Sequence, residues 1–452
     1  MTVSTGEASL GSAQRTPPKT ASRTAGQPGE GRRILIVVEN LPVPFDRRVW
    51  AEATTLASAG YTVSVICPKG RGFEADYEFL EGVHVHRHPL PVEGHGALGY
   101  LREYGSALWH ELRLAFRVRR ARGIDILHGC NPPDLIFLVA WALRPFGVRY
   151  LFDHHDICPE LYETKFGRRG LLWRLMVLVE RLTFRTAIVS IATNESYAEI
   201  ARTRGGMAPE DVFVVRSGPK IEKLELRPPN PALKKGASYL VGYVGVIGQQ
   251  EGLDLLVDAA EHLVRRIGRE DVHFGIVGGG PALAEVRAEV ALRGLDRFFT
   301  FTGRAPDDLL LDMLNTADVC VNPDRATPMN ELSTMNKIME YMTLKKPMVQ
   351  FDLKEGRASA GEASIYAAKN DPVDFAEKIA QLLDDPGARA RMGEIGRARI
   401  EGGLSWAHSA PVLLAAYQRA FDKIAGGKGG APRRDSRAER PPAALAMSSQ
   451  EG

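Results

Sequence analysis

Twice along its 452 residues the chain repeats one alternation: a short β-branched apolar run, a segment with helical periodicity, then another apolar run. In the first half the runs fall at 34–38 (Ile34-Leu35-Ile36-Val37-Val38), 62–66, 83–87, 124–128, 149–153, 187–191 and 212–215. Helices are predicted between them at 48–59, ended by Gly60, and at about 101–122. Most of these runs are apolar along their length, without in–out alternation, which suits parallel strands covered on both faces. The pattern breaks at 218–238, where Pro228, Pro229, Pro231, Lys234 and Lys235 mark a polar linker, and then restarts. Runs at 239–244, 274–277, 300–302, 319–322 and 347–351 frame a predicted helix at 253–266 and the turn Gly278-Gly279-Gly280-Pro281. The expected fold is α/β: two Rossmann-like, doubly wound parallel-sheet domains facing a central cleft. Ligands of such sheets bind beyond the carboxyl ends of the strands, so the cleft is the expected active site.

The expected domain boundaries are 33–217 for the first domain, 218–238 for the linker and 239–403 for the second. A closing helix at 404–425 is in a position to cross back onto the first domain. Residues 1–32 and 426–452, rich in Ser, Thr, Gly, Pro and scattered charge, read as a disordered leader and tail. No run approaches the ~18 apolar residues that span a bilayer. The net charge of +3 carries no nucleic-acid signature. Cys67, Cys130, Cys158 and Cys320 are scattered, which favours buried thiols in a reducing compartment, the cytoplasm.

The stretch Ser333-Thr334-Met335-Asn336-Lys337-Ile338-Met339-Glu340-Tyr341-Met342 carries chemistry. Lys337 and Glu340 stand three apart and share a helix face near its N-terminus, where unpaired N–H groups suit a phosphate. The pair is either a nucleotide-sugar grip or a solvated ion pair. In the second domain Gly278-Gly279-Gly280 follows a strand, so it is either a plain tight turn or a close approach of backbone to diphosphate. Asp46, Arg47 and Arg48 are either a helix cap with a basic first turn or a contact to diphosphate or acceptor. His154 and His155 end the strand at 149–153. On extended backbone they point to opposite faces, which disfavours a shared metal, and no Asp-x-Asp triplet occurs in the chain.

With these residues so placed, the chain resembles the GT-B glycosyltransferases, specifically family 4, over roughly 33–425. Within that family it is similar to bacterial enzymes of exopolysaccharide or O-antigen assembly. The matching stretches are 44–53, Cys130-Asn131-Pro132-Pro133-Asp134, His154-His155-Asp156 with Pro159-Glu160-Leu161-Tyr162, Gly245-Val246-Ile247-Gly248, 278–281 and 333–342. The resemblance implies a retaining, metal-independent transfer needing no cofactor beyond the nucleoside-diphosphate sugar, its co-substrate. It implies that His155 orients the donor sugar and that Glu340 holds the ribose, as the family's second glutamate does. Lys337, Asn336, Gly248, Gly278, Gly279, Arg216, Asp156 and Arg47 complete the expected binding set, and Glu160 is a candidate for orienting imidazoles or binding acceptor hydroxyls. The implied acceptor is a glycan or polyprenyl-linked glycan at the inner membrane surface.

Two departures stand out. The family's first glutamate, eight positions before Glu340, falls on Leu332, with Glu331 off by one. Where many members carry Arg and Lys after the first strand of the second domain, this chain reads Gln249-Gln250-Glu251-Gly252. Those departures keep two rivals open, a sugar-nucleotide epimerase and a catalytically silent scaffold of an assembly complex. The segment 171–182, Leu-rich with interspersed Arg, reads either as a buried helix or, with the basic run 113–122, as a membrane-surface contact.

Overall fold

The computed structural model describes residues 28–70, 72–89 and 96–426. The expected leader up to residue 27 and the tail from 427 lie outside them. The first sheet holds β1 (Arg33–Val38), β2 (Thr62–Pro68), β3 (Tyr77–Leu80), β4 (Val83–His88), β5 (Ile126–Cys130), β6 (Arg149–His154), β7 (Ala187–Ala192) and β8 (Val212–Val214). Its order is β3-β4-β2-β1-β5-β6-β7-β8. The second holds β9 (Tyr239–Val244), β10 (Val272–Val277), β11 (Phe299–Gly303), β12 (Val319–Asn322), β13 (Met348–Phe351) and β14 (Ser364–Ala367), ordered β11-β10-β9-β12-β13-β14. Every pairing is parallel except β3 on β4.

Two strands escaped the sequence pattern. β3 is an antiparallel edge strand whose residues alternate between exposed and half-buried, and β14 is a four-residue edge. The fourth expected run, 124–128, is shifted in the structure to Ile126–Cys130, after a turn in which the Gly123 N–H bonds the Arg119 carbonyl at 2.9 Å.

The helices form for legible reasons. Helix Arg47–Ser58 starts where the Asp46 carboxylate accepts the N–H of Val49 at 3.0 Å, and it ends before Gly60 at φ +94°. Helix Leu253–Arg265 buries Leu253, Leu256, Val257, Ala260, Leu263 and Val264, an i, i+3, i+4 stripe. Each such side chain taken fully from water contributes roughly 1.5–3 kcal/mol for the larger residues.

The last helix, Trp406–Gly426, packs on the first sheet. Trp406, Leu413, Ala416, Tyr417 and Ala420 join the cluster of Val189, Ile191 and Val215. The Trp406 indole donates to Thr55 Oγ1 at 3.0 Å. The backbone N–H of Trp406 bonds the carbonyl of Pro219 at 3.1 Å, so the two chain crossings between domains run side by side.

Leaving aside the antiparallel edge strand β3, each sheet reverses its order at one place, between β1 and β5 in the first and between β9 and β12 in the second. Those switch points open a crevice at the carboxyl ends of the strands.

Candidate active site

On the first domain's side, the end of β6 delivers Asp153 to one face and His154 to the other, and His155, the residue after the strand, returns to Asp153. Asp153 is fully buried. Its carboxylate accepts Arg48 Nη2 at 2.7 Å and Nε at 3.3 Å, lies 3.3 Å from His128 Nε2, and touches His155 Nε2 directly. Arg48 also donates to the carbonyl of Val215 at 2.6 Å and to Ser217 Oγ at 3.1 Å, and pairs with Glu52 at 3.1 Å. Its Nε stands 2.9 Å from His155 Nε2. Asn131 Oδ1 accepts the backbone N–H groups of His155 (2.7 Å) and Asp156 (3.2 Å), fixing the turn after β6.

The charges in this cluster sort themselves. Burial, reinforced by Asp153 and opposed by Arg48, pushes the Glu52 carboxyl well up, so it keeps its proton. Burial alone would raise Asp153 too, but Arg48, His155 and His128 hold it well below the usual carboxylate range. Burial lowers His128, which stays neutral. One ion pair, Arg48–Asp153, therefore remains inside a neutral polar shell, the arrangement that low-dielectric burial tolerates. Ligand atoms of Glu52, Cys130, Asp153 and His155 lie within 4.8 Å of one another, a spacing compatible with a metal. Arg48 already brings a cation to Glu52 and Asp153 there, and burial pushes the Cys130 thiol well up, away from thiolate.

His154 belongs to the core. It is fully buried, with ring centroids 5.3, 5.2 and 5.0 Å from those of Phe152, Phe184 and Tyr197, and burial takes its pKa down to about 3.

On the second domain's side, helix Asn336–Thr343 places Asn336 exposed at its start and Lys337 buried in its first turn. Lys337 Nζ donates to Asp324 Oδ1 at 2.8 Å and lies 5.0 Å from the Tyr243 ring centroid. Burial works against its charge, but Asp324 and Tyr243 outweigh it and hold the ammonium above the ordinary lysine range. Burial pushes the Asp324 carboxyl up, with Lys337 opposing. The two shifts pull against each other; the contact distance and the lysine's net shift favour reading the pair as ionised, with the carboxylate under-solvated.

Glu340 is half-buried and accepts from Arg47 Nη1 of the other domain at 3.1 Å; Arg47 also lies 3.5 Å from Asp307. Burial raises the Glu340 carboxyl, with Arg47 opposing.

The glycine turns pack against each other. Gly278 and Gly280 sit at φ +142° and +158°, and a Cβ there would fall 1.8 Å from the Gly245 carbonyl and 2.4 Å from that of Ile247. Their close approach is therefore to the 245–248 turn, which bonds them back to back (Ile247 N–H to Gly279 O, 3.0 Å). At Gly279 the nearest atom to such a Cβ is the Arg304 nitrogen at 3.8 Å, so a ligand has room there. The Gly248 N–H donates to Glu251 at 3.0 Å, so a carboxylate occupies that amide.

Arg216 and Asp156 are half-buried, and no side-chain partner is recorded for either among the described residues; burial raises the Asp156 carboxyl. Glu160 is spent elsewhere, paired with Arg204 at 2.6 Å, which corrects its expected role beside the imidazoles.

Sequence reasoning missed Arg48 as a buried residue, together with Glu52, His128, Asn131, Asp153 and Asp324. Two of them left a signal. Glu52 interrupts the apolar face of its helix, and His128 stands inside an otherwise uncharged strand; a polar group in such a place is expected to have partners.

Comparison with known proteins agrees with this architecture. The family described as glycosyl transferase 4-like domain matches residues 46–218, and that of glycosyl transferases group 1 matches 238–385. The alpha-D-kanosaminyltransferase of Streptomyces kanamyceticus is 31% identical over 360 residues, covering 75% of this chain and 86% of the relative. The 2-deoxystreptamine glucosyltransferase of the same organism is 26% identical over 352 residues, covering 75% and 89%. A sucrose-phosphate synthase from Thermosynechococcus elongatus shares the fold at a TM-score of 0.70, 19% identity and coverage of 87% and 100%. HepE of Anabaena, solved with UDP-glucose, does so at 0.63, 16% identity and coverage of 87% and 99%. A chain with two switch-point crevices, a buried lysine at one and a histidine at the other, matched by both family domains in order, belongs to the GT-B glycosyltransferases.

Proposed function

We propose that this glycosyltransferase is a family 4 hexosyltransferase. It moves a sugar, with retention and without metal, from a nucleoside-diphosphate sugar to a glycan or polyprenyl-linked acceptor in exopolysaccharide assembly. The observation that carries the reading is Lys337. A buried ammonium in a helix's first turn, at the second sheet's switch point, is placed to meet a departing diphosphate in a site of low dielectric. On donor binding the phosphate competes with Asp324 for that ammonium, Glu340 exchanges Arg47 for ribose hydroxyls, and Asn336, Gly248 and Gly279 line the approach. His155 faces the sugar, with Asp156 and Arg216 on the acceptor side.

The acceptor reading is supported by the surface. Helix Leu171–Thr186 buries Val177, Glu180, Thr183 and Phe184 but leaves Leu171, Leu172, Leu175 and Leu178 half to largely exposed, beside the exposed Arg174, Arg181 and Arg185. An apolar stripe flanked by arginine suits peripheral contact with an anionic membrane. No described helix is long and apolar enough to cross one. A second reading, a small aminocyclitol acceptor, is favoured by the name of one Streptomyces relative, the 2-deoxystreptamine glucosyltransferase.

A thermal-shift screen of UDP-, GDP- and dTDP-sugars, followed by assay of released nucleotide with and without EDTA, tests the reading. Binding with EDTA-insensitive turnover is expected. No stabilisation by any nucleotide sugar overturns it. His155→Ala should lower turnover about a hundredfold, equivalent to ~2.7 kcal/mol of barrier, while unfolding within about 1 kcal/mol of wild type.

A further inference from the structure

The loop that leads into helix Asn336–Thr343 is part of the second domain, yet the first domain holds it. Met329 and Leu332 pack against the first domain's cluster that contains Phe152, Phe184 and Tyr197. Asn194, fully buried just beyond β7, donates from Nδ2 to the Leu332 carbonyl at 2.8 Å and to Thr334 Oγ1 at 3.0 Å. Its Oδ1 accepts the Tyr197 N–H at 2.8 Å and so caps helix Glu195–Thr203. The Tyr197 hydroxyl lies 2.9 Å from Ser333 Oγ. Ser196 Oγ donates to Glu355 Oε1 at 2.6 Å.

The hydrogen bonds of this seam agree with one another. The Tyr197 N–H needs an acceptor, which fixes the oxygen end of the Asn194 amide and turns its N–H groups toward the loop. Ser333 gives its one proton to the Met329 carbonyl at 2.8 Å, so the Tyr197 phenol is the donor between the two hydroxyls. Burial raises that phenol above its ordinary range, so it keeps the proton it donates. Ser196, Tyr197, Ser333 and Glu355 are all buried, so these bonds stand where water competes little. Glu355 Oε2 is buried without a partner, which leaves Asn194 and Tyr197, with every side-chain polar atom bonded, as the firm part of the seam.

What the seam fixes is the start of a helix. Thr334 stands three residues before Lys337, and the Met335 carbonyl accepts the Ile338 N–H at 3.1 Å as the helix begins. Leu332, at the register of the family's first glutamate, is spent on packing against the other domain. We infer that Asn194 and Tyr197 are positioning residues for the donor. From the first domain they hold the loop whose pose aims Lys337 and the first-turn N–H groups at the diphosphate. The premise is the role proposed above for Lys337. A donor site held this way is complete only while the two domains are joined, so the second domain's affinity for a nucleotide depends on residues of the first.

The test is calorimetry of the full chain with UDP, alongside the kinetics of UDP-glucose hydrolysis. Tyr197→Phe keeps the ring that packs beside His154 and removes only the hydroxyl. Asn194→Ser keeps a cap for its helix and is too short to reach the loop. Each should weaken UDP binding about five- to thirtyfold, the equivalent of one or two net hydrogen bonds. Bound donor restores the pose, so the loss should appear as a raised KM with kcat within about twofold. On the Lys337→Ala background the same substitutions should cost less than they do alone. Unchanged UDP affinity in both variants overturns the inference. So does a lowered kcat at unchanged KM, since a seam that only supports the fold would reduce the active fraction and leave the site intact. If Lys337→Ala leaves UDP affinity unchanged while the seam variants lower it, the premise for Lys337 falls and the hold on the helix start stands. If Asn194→Ser does not fold, Tyr197→Phe decides alone. GDP and dTDP are titrated if UDP gives no heat, and binding of none of the three overturns the inference together with the donor reading.

Discussion

The two walls of the cleft are built on opposite plans. On the first domain's wall the buried groups gather around one ion pair, Arg48–Asp153, with Glu52 and His128 beside it and His155 at the cluster's partly buried edge. On the second domain's wall the groups that would hold the donor are engaged with stand-ins. Lys337 holds Asp324, the Gly248 amide holds Glu251, and Glu340 holds an arginine from across the cleft. The difference separates orientation from binding. A group that must keep one pose is locked by buried partners, whereas groups that must release a product are held by contacts a ligand can replace.

The sharpest way to break the contrast is Asp153→Ala. It leaves Arg48 buried without its main counter-charge and should cost about 3–5 kcal/mol of stability, read by urea denaturation; a loss under about 1 kcal/mol would mean the wall is not interlocked.

His154→Ala tests the opposite face of the same strand. It removes a ring from among Phe152, Phe184 and Tyr197, so stability should fall by about 2–4 kcal/mol, in the range for emptied core sites, with normal turnover per folded molecule. Its pH signature has a definite sign. The folded pKa of about 3 lies below the unfolded value, so below about pH 6.5 the unfolded state binds more protons. The stability this group contributes is therefore present above about pH 6.5 and is lost as pH falls toward 3. His154→Phe should flatten that acid limb in urea titrations from pH 7 to 4.

On the second wall, Lys337→Ala should weaken nucleoside-diphosphate binding by about 1.5–3 kcal/mol, the range for a hydrogen bond to a charged group. Calorimetry with UDP measures it, and an unchanged affinity would remove Lys337 from the site. The smallest effect belongs to Arg47→Ala. Its guanidinium is largely exposed, so its pair with Glu340 should be worth about 1 kcal/mol or less in unfolding. Loss of more than 2 kcal/mol in the same urea assay would make that contact structural and erase the contrast between the walls.

What the sequence revealed follows the same division. The doubly wound halves were legible because apolar runs and helical periodicity are local, and the lysine at 337 because a helix start is local too. The interlocked wall was not. Arg48 and Asp153 stand 105 residues apart, and His128 meets Tyr417 across 289. Without a pairing rule at such distance, Arg48 reads as one more solvated base in a basic turn, and Asp324, 13 residues before Lys337, reads as loop. β3 was missed for a different reason: half its residues face water, so its apolar signal is diluted.

The returning helix also sets a schedule for synthesis. One face of the first sheet, around Val189, Ile191 and Val215, is covered by Leu413, Ala416, Tyr417 and Ala420, which leave the ribosome only after the whole second domain. The first domain thus emerges early but waits with an apolar surface open while its neighbour is translated. Such a nascent chain exposes hydrophobic area for longer than its domain order alone would suggest, which is the condition under which chaperones engage.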